Sequence, residues 1–320
     1  MKPTPGNPPR IVAVVVAWNR RELLTQCLDG LAGQTRPADA VIVVDNASTD
    51  GSGDIARDHP VVTEVITMPT NTGGAGGFTT GIAAAMARQR ADGIWIMDDD
   101  TVPTSTALQA LLDTARLYPR ELAVLASRAD WSDGREHPMN TPRTRLDASP
   151  REKADAARLG CRPIRSASFV SILINAEAVR ECGLPMADYF LWNDDFEYTA
   201  RLLRHHEGLY VPASRVLHLT RAFGDSGADP GPRFYQEVRN KVWLFTRSRA
   251  LTRWEKLIYG ASTLRRWAHT LRTSGNRRVL SRGLRTGLRD GLRAGPRSNG
   301  RVLAGTPAES DIEALAKEPA

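Results

Sequence analysis

The sequence predicts an α/β fold in which a mostly parallel mixed sheet is flanked by helices. The first apolar run, residues 11–17, is continuous, as expected of a strand covered on both faces. Short β-branched runs then alternate with segments of helical periodicity, which is typical of parallel sheets with helices on both faces. With 320 residues, of which 41% are hydrophobic, the chain can bury one large core.

The predicted elements follow in order along the chain. After the first strand, Leu24, Cys27, Leu28 and Leu31 recur at helical spacing. β-branched and apolar runs predict further strands at residues 41–44, 61–68, 94–97, 122–126 and 166–174. Further helices are predicted at residues 75–90, 108–115 and 194–206. Ligands bind such sheets beyond the carboxyl ends of the strands, so polar residues there are candidate site residues.

The segments outside these elements are polar. Residues 130–165 contain prolines and little periodicity, and we interpret them as a long excursion over the surface. The Gly-, Pro- and Asp-rich residues 222–232 predict a loop that is mobile unless a ligand orders it. The termini, residues 1–10 and 304–320, are predicted to be disordered. The α/β domain is therefore assigned to residues 11–232.

The last third of the chain is a basic helical region. Residues 233–303 hold 18 Lys and Arg residues and three acidic residues, a net charge of +15, whereas residues 1–232 are net acidic. Tryptophans among the arginines suit an anionic membrane surface, although a solvated helical cap also fits. None of the nucleic-acid-binding motifs occurs, so we expect no nucleic-acid partner. Residues 282–295 contain a repeat of four residues, and residues four apart share one side of a helix. The repeat predicts one ridge of Gly283, Gly287 and Gly291 and another of Arg285, Arg289 and Arg293.

Cysteine usage and the amino terminus predict a cytoplasmic protein. Cys27, Cys161 and Cys182 are widely spaced and form no C-x-x-C pair, which argues against a disulfide framework or a zinc site. Residues 1–10 lack the apolar region of a signal peptide. The longest apolar run is far shorter than the roughly 20 residues that a transmembrane helix needs.

Asp98, Asp99 and Asp100 give the strongest chemical signal. They directly follow a predicted strand, and three adjacent carboxylates repel one another unless water or a cation neutralises them. Divalent ions such as Mn²⁺ or Mg²⁺ take oxygen ligands and commonly bind one or two carboxylates plus substrate phosphates. Strand geometry puts Asp98 and Asp100 on one side, where they could share a metal–diphosphate unit. A solvated acidic loop that caps the next helix is the alternative.

Two further motifs surround this cluster. Asp45 also follows an apolar strand, where its carboxylate could accept hydrogen bonds from a base or a ribose hydroxyl, although residues 45–51 would form a good turn in any case. Residues 71–78, Asn-Thr-Gly-Gly-Ala-Gly-Gly-Phe, lead into a helix. Glycines permit close approach of a phosphate or sugar, and the helix N-terminus favours anions. The pattern matches neither the dinucleotide-binding nor the P-loop fingerprint.

Together these motifs resemble the inverting GT-A glycosyltransferases of family 2, over about residues 10–250. The markers are Ala-Trp-Asn-Arg at 17–20, Val-Val-Asp-Asn at 43–46, the glycine-rich 71–78, the triple Asp, and Trp-Asn-Asp-Asp-Phe-Glu at 192–197. The glycine turn, the triple Asp and the W-x-D-D-x-E motif look most like bacterial galactofuranosyltransferases of the mycobacterial type. The resemblance implies a nucleotide-sugar site made of Ala17, Asn19, Asp45, Asn71, Gly73, Gly74, Asp98 and Asp99.

The resemblance also implies the remaining roles. It places the catalytic base within Asp194–Asp195, with Asp195 favoured, because inverting transfer needs a group that removes the acceptor hydroxyl proton. Acidic residues that complement a helix dipole are the alternative explanation. Acceptor binding is implied for Trp192, Tyr189 and Glu197. The metal ligands would be Asp98, Asp100 and His218, although a lone histidine is more often structural.

The predicted function follows from these roles. We expect metal-dependent inverting transfer of a hexose to a lipid-linked glycan at the cytoplasmic face of the membrane, in cell-wall or polysaccharide synthesis. UDP-galactofuranose is the favoured donor, and dTDP-rhamnose is the alternative. A catalytically silent nucleotide-binding scaffold protein is the alternative from another class.

Overall fold

The computed structural model describes residues 8–220, 223 and 229–317. Within these ranges the chain forms a ten-stranded mixed sheet with helices on both faces, so the predicted fold class is confirmed. Residues 1–7 of the predicted disordered amino terminus lie outside the described residues, as does most of the predicted mobile loop at 222–232. The separation of residues 11–232 as a domain of its own stays a prediction.

Ten strands make up the sheet. They are β1 (Ile11–Ala17), β2 (Ala40–Asp45), β3 (Glu64–Thr67), β4 (Gly93–Asp98), β5 (Thr101–Pro103), β6 (Leu122–Asp130), β7 (Arg143–Thr144), β8 (Arg162–Ser166), β9 (Ser171–Asn175) and β10 (Glu207–His218). The spatial order is β3-β2-β1-β4-β9-β6-β10-β8-β7, with β5 paired to β10. β1 to β4 run parallel, and β9 is inserted antiparallel between β4 and β6. The sheet is therefore mixed, and β1, β2 and β4 end at the same edge.

The described residues also form twelve α-helices. They are α1 (Arg21–Ala32), α2 (Ser52–Asp58), α3 (Gly73–Ala87), α4 (Ala107–Leu117), α5 (Pro150–Arg158), α6 (Ala176–Cys182), α7 (Asp194–Leu202), α8 (Phe234–Thr246), α9 (Arg253–Thr273), α10 (Arg277–Arg293), α11 (Asn299–Val302) and α12 (Glu309–Lys317). None of the helices in the described ranges is both long and apolar enough to cross a membrane.

β1 shows why the first apolar run is continuous. Its side chains alternate between two core layers, so that Val14 packs on the side of α3 and Val15 on the side of α1. All seven residues of β1 are buried. Burial on both faces removes the polar alternation that a half-exposed strand would show.

The interpretation of residues 130–165 as a surface excursion was wrong in part. The segment contains β7, α5 and the start of β8, and Ala156 and Ile164 are fully buried. Ser149 and Glu152 form a capping box that begins α5. The short elements leave little room for a periodic hydrophobic pattern, so the sequence signal was weak.

The C-terminal region is helical, and its glycine repeat packs against α8. Gly283, Gly287 and Gly291 are buried on one side of α10, which confirms the predicted ridge. An ideal Cβ on Gly287 would lie 2.8 Å from Val238 Cβ and 2.9 Å from Tyr235 O. The glycines therefore let the two helices approach closely.

The prediction of a disordered tail was wrong for residues 304–317. α12 packs on α3, and Ala308 is fully buried in the main core cluster. Arg88, which directly follows α3, donates from Nε to both carboxylate oxygens of Asp311 at 2.9 and 3.0 Å. Few apolar residues lie in this segment, and the surface that orders it is supplied by residues more than 200 positions earlier.

Candidate active site

The ends of three strands bring the predicted acidic residues together. In the register of the sheet, Ala17 at the end of β1 lies opposite Asp45 at the end of β2. On its other side, Val16 of β1 lies opposite Asp98 at the end of β4. Parallel strands end at one edge, so the two acidic strand ends flank the end of β1. This edge is the site at which α/β sheets bind ligands.

Asp98, Asp100 and His218 converge at this edge. One ligand atom from each residue lies within 4.8 Å of the others. The antiparallel pairing of β5 with the end of β10 explains the approach, since Thr101 lies opposite His218. Two carboxylates and one imidazole form a donor set that suits a divalent ion such as Mn²⁺.

The contacts of His218 also fit a cation. His218 Nδ1 lies 2.9 Å from Asn140 Oδ1, and an Nδ1–H that donates to Asn140 leaves the Nε2 lone pair free. Nε2 lies 3.1 Å from Asp100 Oδ1, a buried atom that accepts no hydrogen bond of good geometry. In that tautomer the lone pair of His218 Nε2 faces a lone pair of Asp100 Oδ1, and the two repel each other. A cation bound between them would remove the repulsion. Residues 98, 100 and 218 therefore fit a metal ion.

Asp99 has a different position from its two neighbours. Its carboxylate accepts a hydrogen bond from the Trp18 backbone N–H at 2.9 Å and one from Arg20 Nη1 at 3.2 Å. Arg20 also forms an ion pair with Asp100. Asp99 therefore orders the segment after β1, and the nucleotide contact predicted for it stays a prediction. Arg20, half-exposed beside the acidic cluster, had been given no role.

Burial makes the negative charges of the acidic residues at this edge unfavourable. Burial, followed by the charges of Asp100 and Asp99, raises the pKa of Asp98 well above its ordinary value. Burial also raises the pKa of Asp99 to about 6, although Arg20 and the Trp18 N–H oppose the shift. A cation at Asp98 and Asp100 would favour their ionised forms.

Asn46 connects β2 to the glycine-rich segment. Its Nδ2 donates to Gly73 O at 2.9 Å and to Asn71 Oδ1 at 3.2 Å, and its Oδ1 accepts from the Thr72 N–H at 2.9 Å. Asn71 Oδ1 also accepts from the Gly73 N–H at 2.7 Å. Asn71 is thus used to shape the turn, and a direct contact with a nucleotide stays a prediction.

The first glycine of residues 71–78 is required by the backbone and by close packing. Gly73 has φ +71°, and an ideal Cβ on it would lie 2.0 Å from Phe190 O. The remaining glycines lie inside α3, where a Cβ on Gly77 would come within 2.5 Å of Val16 Cγ1. Close packing on β1 and on the segment before α7 therefore explains much of the pattern that had been assigned to ligand binding.

Asn19 and Asp45 also make local contacts. Asn19 Oδ1 accepts a hydrogen bond from the Thr49 N–H at 2.8 Å. Asp45 Oδ1 accepts one from the Ser48 N–H at 3.0 Å. Both residues hold the turn after β2 close to the end of β1. The predicted turn at residues 45–51 is therefore present, and the predicted nucleotide contacts of both residues stay proposals.

Residues 189–193, here named the base loop, precede α7 and have an unusual backbone. Phe190, Trp192 and Asn193 have φ of +63°, +67° and +64°, values that non-glycine residues seldom adopt. Asn240 of α8, which is fully buried, donates from Nδ2 to the carbonyl oxygens of residues 189, 191 and 192 at 2.9, 2.9 and 2.8 Å. A strained loop persists only when its surroundings hold it, and Asn240 supplies much of that support.

The base loop places Asp194 near the glycine turn and Asp98. An ideal Cβ on Gly74 would lie 3.9 Å from Asp194 Oδ2, so this carboxylate faces the glycine turn. Burial and the charge of Asp195 raise the pKa of Asp194 to about 8. The charge of Asp194 also contributes to the raised pKa of Asp98, which reflects their proximity.

Asp195 faces basic residues. Its Oδ1 accepts a hydrogen bond from the Phe196 N–H at 2.6 Å. Burial raises the pKa of Asp195, whereas this hydrogen bond and the charges of Lys241 and Arg143 oppose the shift. Burial lowers the pKa of Lys241 to about 8. The two carboxylates thus lie in different electrostatic surroundings.

The acceptor roles predicted for Tyr189 and Glu197 do not fit their positions. Tyr189 is 1% exposed and packs with Trp243 at a ring distance of 5.6 Å. Glu197 is 1% exposed, pairs with Arg201 at 3.0 Å and accepts a hydrogen bond from Ser248 Oγ at 2.7 Å. Both residues are buried because they anchor the base loop and α7 to the C-terminal region. Trp192 and Phe190 are the more exposed aromatic residues of the loop.

Residues 12–183 match the protein family described as Glycosyl transferase family 2. The chain belongs to glycosyltransferase family 2. It is 32% identical over 198 residues to galactofuranosyltransferase GlfT1 of Mycolicibacterium smegmatis, covering 61% of this chain and 65% of that protein. It is also 32% identical over 203 residues to GlfT1 of Mycobacterium tuberculosis, covering 61% and 64%. The chain thus spans about 65% of the length of these curated relatives.

Solved structures confirm the GT-A fold of this family 2 protein. TarS 1–349 of S. aureus in complex with UDP-GlcNAc has a TM-score of 0.60 at 18% identity, over 96% of this chain and 88% of that chain. GalNAc-T7 with UDP, GalNAc and Mn²⁺ has a TM-score of 0.58 at 15% identity, over 94% of this chain and 57% of that chain. At such identity the likeness concerns the fold alone.

Several residues of the site carry no signal in the sequence that predicts their position. Asn140 lies in the segment that had been interpreted as a surface excursion, and no local signal linked it to His218. Lys241 and Asn240 lie on α8, in the basic helical region, and no sequence pattern there points to the acidic strand ends. The one available signal was Arg20, which stands in the Ala-Trp-Asn-Arg motif that carried the family resemblance.

Proposed function

We propose that this protein is an inverting, metal-dependent glycosyltransferase that moves a hexose from a nucleoside diphosphate sugar to a glycan. The convergence of Asp98, Asp100 and His218 at the carboxyl edge of a GT-A sheet carries the proposal. Asp194 and Asp195 stand at the start of α7 and would supply an acid–base group. UDP-galactofuranose is the proposed donor, because the relatives that match over 61% of the chain are named galactofuranosyltransferases.

Asp98, Asp100 and His218 would hold Mn²⁺ or Mg²⁺. When bound, the ion would act as a Lewis acid that stabilises charge on the leaving diphosphate. Arg20, whose side chain is 47% exposed beside the cluster, would donate to the same diphosphate. Ala17 and Asp45, at neighbouring strand ends, would contact the nucleoside. Gly74 would leave room for the sugar between the turn and Asp194.

Asp195 is the proposed base that removes the proton of the acceptor hydroxyl. Burial raises the pKa of Asp195, but the Phe196 N–H and the nearby cations Lys241 and Arg143 oppose this shift and favour the ionised form that a base requires. The pKa of Asp194, raised to about 8, keeps that carboxyl largely protonated at neutral pH. Asp194 would then donate a hydrogen bond to a sugar oxygen. Trp192 in the base loop would stack on the acceptor ring.

The proposed acceptor is a lipid-linked glycan at the cytoplasmic face of the plasma membrane. The net charge of +15 over residues 233–303 supports attraction to anionic lipids. A protein held at the surface would meet its acceptor there without spanning the bilayer. This part of the proposal can be tested separately from catalysis.

The decisive experiment compares Asp195→Asn with Asp113→Asn, a control on the surface of α4. Transfer of radiolabelled sugar from UDP-galactofuranose should fall by about 10²–10⁴-fold in Asp195→Asn, the range expected for loss of a general base. UDP binding with Mn²⁺, measured by calorimetry, should persist in both variants. Retained turnover in Asp195→Asn would remove Asp195 as the base. Tight UDP binding by the wild type without turnover of any nucleotide sugar would instead indicate a silent binding protein.

A further inference from the structure

The outward side of α9 is apolar. Four large hydrophobic side chains on it are 75, 64, 66 and 65% exposed, namely Trp254, Leu257, Ile258 and Leu264. Their spacing of i, i+3, i+4 and i+10 places them on one side of the helix, here named the α9 apolar face. The buried residues of α9, Thr263 and Trp267, lie on the opposite side. α9 therefore exposes a group of large apolar side chains, with Arg265 among them, on its solvent side and is anchored to the protein on the other.

This clustering distinguishes the face from ordinary surface hydrophobics. Ten large hydrophobic residues are exposed within the described part of the chain, and four of them lie within eleven residues of α9. Singly scattered hydrophobic residues need no explanation, whereas a contiguous exposed patch marks an interaction surface.

The next helix presents a row of arginines. Five exposed arginines of α10 are spaced at i, i+4, i+7, i+11 and i+15, and this spacing places them on one side of the helix. They are Arg278, Arg282, Arg285, Arg289 and Arg293. Among the described residues only Arg289 of this row forms an ion pair, with Asp290 at 2.8 Å. The row lies opposite the buried glycine ridge, so packing against α8 does not occupy it.

We propose that the α9 apolar face inserts into the headgroup region of an anionic membrane while the α10 arginine row binds lipid phosphates. Tryptophan with leucine and isoleucine on one side of a basic helix is the composition of an interfacial membrane helix. Charge decides against a second copy of the chain as the occupant. Pairing two such faces would bring together two segments of net charge +15, whereas anionic lipids neutralise both features.

This inference deepens the proposed membrane-bound function, but it does not depend on glycosyl transfer. Vesicle flotation needs neither donor nor metal, so its failure would leave the transfer proposal intact. Conversely, sugar transfer to a water-soluble acceptor tests the active site without any membrane. Failure of one proposal is therefore distinguishable from failure of the other.

The test uses the full-length chain and a variant in which the four residues of the α9 apolar face are changed to Gln. The matched control changes three exposed residues elsewhere, Leu117, Met139 and Leu146, to Gln. Both variants should fold, because the altered side chains are 48–86% exposed. With vesicles of phosphatidylcholine and phosphatidylglycerol at low salt, the wild type and the control should float. The α9 variant should lose at least about tenfold in bound fraction.

A second variant tests the charge contribution. Changing Arg278, Arg282, Arg285 and Arg293 to Gln should weaken flotation with anionic vesicles and reduce its dependence on salt. Equal flotation of the α9 variant and the wild type would overturn the proposal. A wild type that is dimeric without vesicles, together with a monomeric α9 variant, would also overturn it and assign the face to a second copy.

Discussion

Asn240 is a buried amide whose contacts are made almost entirely to the backbone of the base loop. Its Nδ2 group donates to three carbonyl oxygens, and the loop that it holds contains three residues of positive φ. Asp194 and Asp195 follow that loop directly, so a shift of the loop shifts both carboxylates. Asn240 is therefore a positioning residue for the proposed chemistry.

We predict that Asn240→Ala lowers kcat by about 100-fold, as a misplacement of about 1 Å can. The KM for the nucleotide sugar should change little, because the strand ends that hold the donor are untouched. The control is Asn276→Ala, which removes a cap of α10 at a cost of about 1 kcal/mol and touches no part of the base loop. Steady-state kinetics on both variants provide the measurement. An unchanged kcat in Asn240→Ala would refute the positioning role.

At the residue scale, the acidic strand ends could be predicted from the sequence, but the burial of neighbouring side chains could not. The acidic strand ends are visible in the sequence because a carboxylate after an apolar run is a local signal. Glu197 ends the motif that contains Asp194 and Asp195, and Tyr189 lies three residues before the motif, but both side chains are buried in the protein. A sequence motif preserves spacing along the chain, whereas exposure depends on which element covers each side chain.

At the scale of elements, α8 and α10 depend on glycine for their close contact. Gly287 lies where an added Cβ would be 2.8 Å from Val238 Cβ. The period of four in the sequence predicted this ridge, because residues four apart share one side of a helix. The sequence did not predict that α8 is the partner helix, because a ridge of glycines indicates close packing without indicating which element packs there.

We predict that Gly287→Ala destabilises the protein by about 1–3 kcal/mol through overpacking, despite the better helix propensity of alanine. The control is Gly260→Ala on α9, where nothing lies within 4 Å of the added Cβ. That substitution should be neutral or should stabilise by up to about 1 kcal/mol. Chemical denaturation of both variants measures the difference. Equal effects at the two positions would contradict the close packing of α8 and α10.

At the scale of the whole molecule, Asp194 links proton binding to folding. Its pKa is raised to about 8 in the folded protein, mainly by burial, from an ordinary value of 3.8. A raised pKa means that the folded state binds the proton more tightly. The resulting stability is fully present below about pH 4 and is lost as the pH rises through about 8.

We therefore predict that wild type loses stability relative to Asp194→Asn between pH 5 and pH 8. The difference in free energy of unfolding between the two proteins should change by up to about 1.4 kcal/mol per pH unit, the value for one proton. Groups that are not coupled to Asp194 titrate equally in both proteins and cancel. The measurement is the free energy of unfolding of both proteins across this range. A difference that does not vary with pH would contradict the burial of the Asp194 carboxyl.

The tail shows the same dependence on distant residues. Residues 304–317 have too few apolar residues to predict an ordered helix by themselves. Arg88 and the surface of α3 order them, through the ion pair with Asp311 and the burial of Ala308. Contacts of this kind join positions more than 200 residues apart, and no local pattern records them.

The sequence by itself determined the α/β class, the strand ends that carry Asp45 and Asp98, and the basic charge of the C-terminal region. Each is a local property, since hydrophobic periodicity and composition are written in neighbouring residues. The family resemblance implied that His218 joins Asp98 and Asp100, and the tertiary structure shows how strand pairing brings them together. Only the tertiary structure decided that Asn140 and Asn240 support the site and that Glu197 is buried. These facts depend on strand order and helix packing, which bring together residues far apart in the chain.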